Sequence, residues 1–307
     1  MNQDRLANLV IQSYPVKDVN KLNEHMFCLE KNLNNPFIKK VYNFKEDGFE
    51  YPDYILNNEN YKTKMVNVEV NKTRTKPKSE RFIPQHYYAY TKDFDISKND
   101  TSRRITYKYV TEWVRENLDE NDIVIITNCD IFFDYNWDYN TLYDILDKKF
   151  LIVLSRYEYD IGDKIWLDYN CMKAWSNDSW IFLNTSKLEN LKNTNFTIGA
   201  CPSCDFAITE RFYRGGYNVI NAGLHFPSYH YDRITKESSH LLYVNNYNDL
   251  SYPSYDGKLF VCPFIPLDIY KLSNYYDLIP KIHEIASLSC LQKECDHKHT
   301  IKEFLNS

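Results

Sequence analysis

The chain has 307 residues and a formal net charge of −5 at pH 7, and it contains no apolar run of the roughly 18 residues that a membrane-spanning helix needs. The acidic balance argues against nucleic acid as the main partner. The polar start, Met1 to Arg5, lacks the charged and then apolar pattern of a signal peptide, so we expect a cytoplasmic protein. Eight cysteines are modest usage for this length, and we expect mostly reduced thiols.

The first part of the chain predicts a strand, a helix and a second strand. The apolar stretch from Leu6 to Tyr14 predicts the first strand, and apolar residues at helical spacing predict a helix capped by Asp18 that runs to about Leu33. Phe37 to Phe44 predicts the second strand, which completes a βαβ unit with a right-handed crossover. Within Lys45 to Asp100, one alternating segment, Met65 to Val70, predicts a third strand.

The following part alternates helices with short strands, as is typical of an α/β fold. Its most apolar segment, Ile123 to Ile126, predicts a buried central strand of a parallel sheet. The other elements predicted here are helices over Thr106 to Leu118, Leu142 to Asp147 and Phe206 to Tyr213, and strands over Phe150 to Ser155, Ser179 to Leu183 and Tyr217 to Ile220. We therefore expect an α/β fold with a mostly parallel central sheet and helices on both faces.

Polar side chains follow the predicted central strand directly. Asn128 and Asp130 stand at its carboxyl end, and Asp134 comes four residues after Asp130. Open α/β sheets bind ligands at this edge, and Mg²⁺ or Mn²⁺ takes oxygen ligands and bridges diphosphates. The same residue types also suit a turn or a helix cap. Arg156 follows another predicted strand, where it is placed to hold a diphosphate or a sugar hydroxyl, or to form a surface ion pair.

Several short motifs occur in a fixed order along the chain. They are Gln12 with Tyr14, Arg104 to Tyr107, Thr127 to Asp134, Leu154 to Arg156, Asp178 to Phe182, Cys204 with Asp205, Gly216 to Val219, and Tyr229 with His230. In this order, over roughly Leu6 to Arg233, they resemble an uncharacterised group of GT-A-type nucleotide-sugar glycosyltransferases. The resemblance implies a Rossmann-like GT-A fold and a metal-dependent transfer from a nucleoside diphosphate sugar, with a UDP-sugar favoured.

The resemblance also implies a metal site at Asp130. In such enzymes an Asp-x-Asp motif ends the central strand and binds Mn²⁺ or Mg²⁺ together with the donor. This chain has Asn128 in place of the first carboxylate, which leaves Asp130 as the expected metal ligand and Asn128 as a donor-binding residue. His230 is expected as a further metal ligand, and a core or surface histidine is the other interpretation.

An acceptor side built on Asp205 is implied as well. Many inverting GT-A enzymes draw their base from a Glu-Asp pair that opens a helix, and Cys204 stands here in place of the glutamate. Asp205 is then expected to take the proton of the acceptor hydroxyl as this hydroxyl attacks the sugar. The other interpretation is a plain helix N-cap, and in that case a retaining mechanism stays open.

The remaining motif residues are expected to bind the substrates. Asp178 and Trp180 suit a pyranose, because one offers a carboxylate and the other an aromatic face, although Trp180 is equally typical of a core. Gln12 and Tyr14 are expected to hold the base of the nucleotide. The full set of expected substrate-binding residues is Gln12, Tyr14, Arg104, Tyr107, Asn128, Arg156, Asp178, Trp180 and Cys204.

We predict a glycosyltransferase domain over residues 1–235, with a C-terminal helical appendage over residues 236–307 packed on it. The predicted reaction moves a sugar to a glycan or other hydroxyl acceptor, with inversion. One alternative is a non-catalytic nucleotide- or glycan-binding module, which Asn128 and Cys204 favour. Another is a nucleotidyltransferase, for which the sequence shows no Gly-rich phosphate loop. The donor sugar, the acceptor and the oligomeric state are not predicted.

Overall fold

The structure, a computed structural model, describes residues 6–70, 105–147, 150–159, 165–167, 177–192, 194–195, 198, 204–223 and 225–231. Its helices are α1 (Val19–Asn34), α2 (Asp53–Leu56), α3 (Glu59–Lys64), α4 (Tyr107–Asn117), α5 (Tyr139–Asp147) and α6 (Cys204–Arg214). Its strands are β1 (Ala7–Ser13), β2 (Ile38–Lys45), β3 (Met65–Glu69), β4 (Ile123–Thr127), β5 (Ile131–Phe133), β6 (Phe150–Leu154), β7 (Tyr157–Tyr159), β8 (Ile165–Leu167), β9 (Ser179–Leu183), β10 (Asn218–Asn221) and β11 (Ser228–Tyr231).

The central sheet of the described residues has seven strands in the order β10-β6-β9-β4-β1-β2-β3. The pairs β1 with β2, β1 with β4, β2 with β3 and β6 with β10 are parallel. Among the described strands of this sheet, only β9 runs against its neighbours, since it pairs antiparallel with both β4 and β6. The predicted α/β class and the mostly parallel central sheet are therefore confirmed.

Apolar side chains alternate along the strands and build one core on each face of the sheet. In β4, Ile123 and Ile125 belong to the first core, whereas Val124 and Ile126 belong to the second. Buried residues of α1 and α5 complete the first core, and those of α4 and α6 complete the second. Helices thus cover the sheet on both faces, as predicted for strands that are apolar throughout.

The helix ends follow capping residues that are visible in the sequence. The Asp18 side chain accepts a hydrogen bond from the Asn20 N–H at 2.8 Å and so caps α1. Thr106 caps α4 in the same manner through the Tyr109 N–H at 3.2 Å. After α6 the chain turns at Gly216, whose φ of 90° suits a residue without a side chain. The predicted starts of α1 and α4 are confirmed.

The structure also contains a second, smaller sheet, which the sequence did not predict. Its strands have the order β5-β11-β7-β8 and contain only three or four residues each, too few for an alternating pattern to stand out. Aromatic side chains of these strands pack with a ring of α1, and the residues concerned are Phe27, Phe132, Tyr157, Tyr159, Tyr229 and Tyr231. This sheet brings β11 alongside the end of β4.

Some predictions fall on residues outside the described ranges. The C-terminal appendage over residues 236–307 lies entirely outside them, and so do residues 71–104. In the described portion of Lys45 to Asp100, β3 confirms the predicted third strand, and the structure adds the helices α2 and α3, which were not predicted.

None of the helices within the described ranges is long and apolar enough to cross a membrane.

Candidate active site

Charged and polar side chains gather at the carboxyl edge of the central sheet. Asn128 and Asp130 follow β4, Arg156 follows β6, and Asp178 comes directly before β9. Because β9 runs antiparallel to β4 and β6, the residue that precedes it lies at the edge where these two strands end. The structure therefore brings four of the predicted site residues to one edge of the sheet.

The first group at this edge, the Asp130 cluster, consists of Asp130, His230 and Lys21. His230 Nε2 lies 3.4 Å from Asp130 Oδ2, and Lys21 Nζ lies 3.3 Å from the same oxygen. Lys21 Nζ also lies 3.4 Å from Glu24 Oε2. The structure thus brings together the two predicted metal ligands. Lys21 is an additional member that no sequence pattern indicates, because the contact depends on how α1 packs over the end of β4.

The pairing of β5 with β11 explains why His230 reaches Asp130. His230 is the antiparallel partner of Ile131, and the Tyr231 N–H donates to the Asp130 carbonyl at 3.1 Å. The backbone on both sides of the ion pair is therefore fixed by strand hydrogen bonds. The His230 side chain is 8% exposed and that of Asp130 is 19% exposed, so the carboxylate is the more accessible of the two groups.

Two opposing effects set the pKa of Asp130. Burial raises this pKa, but His230, Lys21 and His25 act in the opposite direction and hold it well below its usual value. Asp130 is therefore an anion at neutral pH. Burial, and after it the charge of Asp130, raises the pKa of the Cys28 thiol of α1 well above its usual value. Cys28 is therefore a neutral thiol at neutral pH.

The second group, the Asp178 cluster, consists of Asp178, Arg156 and Asn128. Asp178 Oδ1 accepts one hydrogen bond from Arg156 Nη1 at 2.9 Å and another from Asn128 Nδ2 at 3.3 Å. The Asp178 side chain is 3% exposed, whereas that of Arg156 is 25% exposed. The cluster therefore presents its cation, and not its carboxylate, to solvent. Asp178 holds two of the other predicted substrate-binding residues in place.

Asp205 is the centre of a third group of contacts. It is the second residue of α6, inside the first turn and not at the cap position before the helix. The Tyr107 hydroxyl donates to Asp205 Oδ1 at 3.3 Å. The Thr209 hydroxyl donates to the Asp205 carbonyl at 2.8 Å and accepts from the Trp180 indole N–H at 2.8 Å. These hydrogen bonds connect α4, β9 and α6 around Asp205.

Trp180 is a core residue. It has no exposed surface and belongs to the core on the α4 and α6 face of the sheet. Its ring packs edge to face against Tyr107, with 5.5 Å between the ring centroids. A side chain enclosed in this way has no face left for a sugar, so its position agrees with the core interpretation and places Trp180 behind Asp205.

Gln12 and Tyr14 lie at the carboxyl end of β1. The Gln12 amide donates to the Glu46 carboxylate, and both residues are buried. Tyr14 is partly exposed and packs edge to face against His25 of α1, with 5.4 Å between the ring centroids. Tyr14 is therefore the more accessible of the two predicted contacts to the nucleotide base. Two further predicted positions lie outside the described structure, namely Arg104 and the side chain of Cys204.

The donor atoms at Asp130 suit a cation that is shared with a substrate. In the described part of the chain, no group of three or more His, Cys, Asp or Glu side chains is placed to hold a metal ion. Asp130 offers a carboxylate oxygen, the ligand type that Mg²⁺ and Mn²⁺ prefer, and His230 adds an imidazole nitrogen beside it. Mg²⁺ is commonly held by one or two carboxylates together with substrate phosphates. The residues present therefore fit a divalent cation that binds together with a diphosphate.

No protein-family model matches the chain, and no curated protein matches it. Among solved structures, GalNAc-T7 with UDP, GalNAc and Mn²⁺ gives a TM-score of 0.43 at 9% identity, over 75% of this chain and 44% of that one. S. aureus TarS 1–349 with UDP gives 0.40 at 10% identity, over 74% of this chain and 60% of that one. The 4-diphosphocytidyl-2C-methyl-D-erythritol synthase of Anaerococcus prevotii DSM 20548 gives 0.35 at 9% identity, over 75% and 90%.

The chain thus spans less than two thirds of the length of GalNAc-T7 and of TarS 1–349. At these scores and identities, neither the reaction nor the ligand of those proteins is carried over to this chain. A functional assignment has to come from the residues at the carboxyl edge of the sheet.

Proposed function

We propose that the protein is a glycosyltransferase that moves a sugar from a nucleoside diphosphate sugar to a glycan or other hydroxyl acceptor, with a UDP-sugar favoured. The observation that carries the proposal is the pairing of Asp130 with His230 at the carboxyl edge of the sheet, where Arg156 also lies. Ligands of open α/β sheets bind at this edge. The resemblance of the sequence motifs to GT-A-type glycosyltransferases supports the same assignment.

The donor diphosphate is proposed to bind between Asp130 and Arg156. Asp130 and His230 would hold Mn²⁺ or Mg²⁺, and such a cation neutralises negative charge on a diphosphate leaving group. Arg156 stabilises the same charge through guanidinium hydrogen bonds, which are strong and directional toward phosphate oxygens. Asp178 keeps the guanidinium at the edge of the sheet through the 2.9 Å hydrogen bond to Nη1.

The acceptor hydroxyl is proposed to lose its proton to Asp205. In the transfer, the hydroxyl oxygen forms a bond to the anomeric carbon of the sugar, and the bond from that carbon to the diphosphate breaks. The diphosphate leaves with the electron pair, and the proton passes to the Asp205 carboxylate. The Tyr107 hydroxyl, 3.3 Å from Asp205 Oδ1, orients the base. Attack from the face opposite the leaving group gives inversion.

The nucleotide base is proposed to lie at the end of β1. Tyr14 is partly exposed there and offers an aromatic ring for stacking. Gln12 is buried and already bonded to Glu46, so its proposed contribution is to hold that carboxylate at the edge of the sheet.

A thermal-shift panel with UDP, GDP, dTDP and CMP, each with and without Mn²⁺, tests the donor side. A ligand present at about 100 times its dissociation constant stabilises the fold by roughly 2.7 kcal/mol. We expect UDP with Mn²⁺ to give the largest shift and Asp130→Ala to abolish it. Asp122→Asn, at the opposite end of β4, is the matched control and should keep the shift. Absence of a shift with every nucleotide would contradict the proposal.

A turnover assay separates an enzyme from the alternative binding module. With UDP-sugars and a panel of hydroxyl acceptors, the transferase releases UDP, and Asp205→Asn should lower kcat by at least about a hundredfold while the UDP shift remains. A non-catalytic module would bind the nucleotide without turnover in the wild-type protein. The non-catalytic module is an alternative for this chain because Asn128 offers an amide where the resembled group has a carboxylate.

A further inference from the structure

Asp178 is a buried carboxylate whose hydrogen bonds converge on one oxygen. Arg156 Nη1 at 2.9 Å and Asn128 Nδ2 at 3.3 Å both contact Oδ1. The other oxygen, Oδ2, is buried and has no hydrogen-bond partner among the described residues. A buried carboxylate is unfavourable unless a counter-ion and hydrogen-bond donors compensate it. Arg156 and Asn128 are therefore the groups that make an anion acceptable at position 178.

An amide at position 128 fits this arrangement, and a carboxylate does not. An aspartate there would place an oxygen where Asn128 Nδ2 now lies, 3.3 Å from Asp178 Oδ1. Two carboxylates would then share Arg156, and their repulsion would be little screened because Asp178 is buried. With Asn128 the cluster holds one anion and one cation. The amide at position 128 is thus matched to the carboxylate at position 178.

We propose that the single carboxylate of this cluster belongs at position 178 and not at position 128, and that Asp178 is a positioning residue which fixes Arg156 for the diphosphate of the donor. The inference rests on the proposed function, since the ligand is the same nucleoside diphosphate. Arg156 is the partly exposed member and touches the diphosphate, whereas Asp178 lies buried behind it. A guanidinium that is held in place before the ligand arrives loses less side-chain entropy on binding.

A charge swap between positions 128 and 178 tests this inference. The variants N128D, D178N and N128D/D178N are compared with the wild type for UDP affinity in the presence of Mn²⁺ by calorimetry, and for urea unfolding without ligand. We expect each single variant to weaken UDP binding by about tenfold or more. The swap variant, whose cluster again holds one anion and one cation, should bind at least about fivefold more tightly than the weaker single variant.

Three further variants, R156A, R156A/D178N and N8D/D122N, distinguish positioning from a structural role. If Asp178 acts through Arg156, then D178N should change UDP affinity by less than about twofold in an R156A background. The matched control is the swap N8D/D122N, because Asn8 Nδ2 donates to Asp122 Oδ2 at 2.9 Å in a similar amide–carboxylate pair at the opposite end of β1 and β4. It should alter the unfolding curve and leave UDP affinity unchanged.

Unchanged UDP affinity in N128D, or a swap variant no better than the weaker single variant, would overturn the inference. If N128D does not fold, a folded swap variant supports the inference and an unfolded one overturns it. Failure of the proposed function has a different signature. The wild type would then bind no nucleoside diphosphate while the swap still restored unfolding stability, which would overturn the diphosphate role and leave only the charge pair.

Discussion

Replacing Trp180 with phenylalanine distinguishes a core residue from a sugar contact. The substitution removes two ring carbons and the indole N–H that donates to Thr209 at 2.8 Å. Because Trp180 is wholly buried, the carbons account for about 1.6 kcal/mol at roughly 0.8 kcal/mol per buried carbon. Loss of the hydrogen bond adds about 1 kcal/mol. We expect the free energy of unfolding to fall by about 2.5 kcal/mol.

Urea unfolding of the purified variant measures this loss. With a slope of about 2 kcal/mol per molar urea, the midpoint should fall by about 1 M, and UDP affinity should stay unchanged. Trp113→Phe is the matched control. Trp113 is partly buried on α4, and its indole N–H has no hydrogen bond among the described residues, so its loss should stay below about 1 kcal/mol. A Trp180→Phe variant that keeps its stability but loses donor affinity would refute the reasoning.

Three further predictions concern Asp130, the proposed metal ligand, and the neighbours of Asp130 and of Asp205, the proposed base. The folded-state pKa of Asp130 is below its unfolded value, so its stabilising contribution is complete above about pH 4 and is lost as the pH falls through the folded value. The stability difference between wild type and Asp130→Asn should therefore shrink in urea titrations below about pH 4, and a constant difference would contradict this. Tyr107→Phe removes a long hydrogen bond to Asp205 and should lower kcat about fivefold at unchanged KM, which steady-state kinetics would show. Lys21→Met removes the cation that shares Asp130 Oδ2 and should tighten Mn²⁺ binding several-fold in calorimetry with UDP. Weaker Mn²⁺ binding would instead make Lys21 a supporting residue of the site.

Local signals in the sequence predict the elements well. The run Ile123 to Ile126 identifies the central strand because side chains buried on both faces must all be apolar. Asp18 and Thr106 identify helix starts because capping requires only residues within one turn. The end of β4 follows from the same reasoning, and it is sufficient to indicate Asn128 and Asp130 as candidates.

Such local signals do not predict the direction of β9, because a short apolar strand has the same sequence pattern in a parallel and in an antiparallel pair. The position of Asp178 beside Asn128 depends on that direction. The contact of Lys21 with Asp130 depends on how α1 lies over the sheet, a tertiary arrangement without a sequence pattern. The motif resemblance names Trp180 as a sugar contact, whereas burial of its whole side chain is evident only from the packing of α4 and α6.

The Asp130 cluster joins three widely separated parts of the chain. Lys21 and Asp130 are 109 residues apart, and His230 lies 100 residues beyond Asp130. Contacts across such long loops form late, because loop closure lowers the entropy of the chain before the contact is made. During synthesis, β1 to β9 leave the ribosome before β11, so Asp130 meets its histidine only when the sheet is nearly complete. The proposed binding of a metal and a nucleotide at this edge therefore requires the chain to have folded as far as β11, and incomplete chains that end before Ser228 cannot build the cluster.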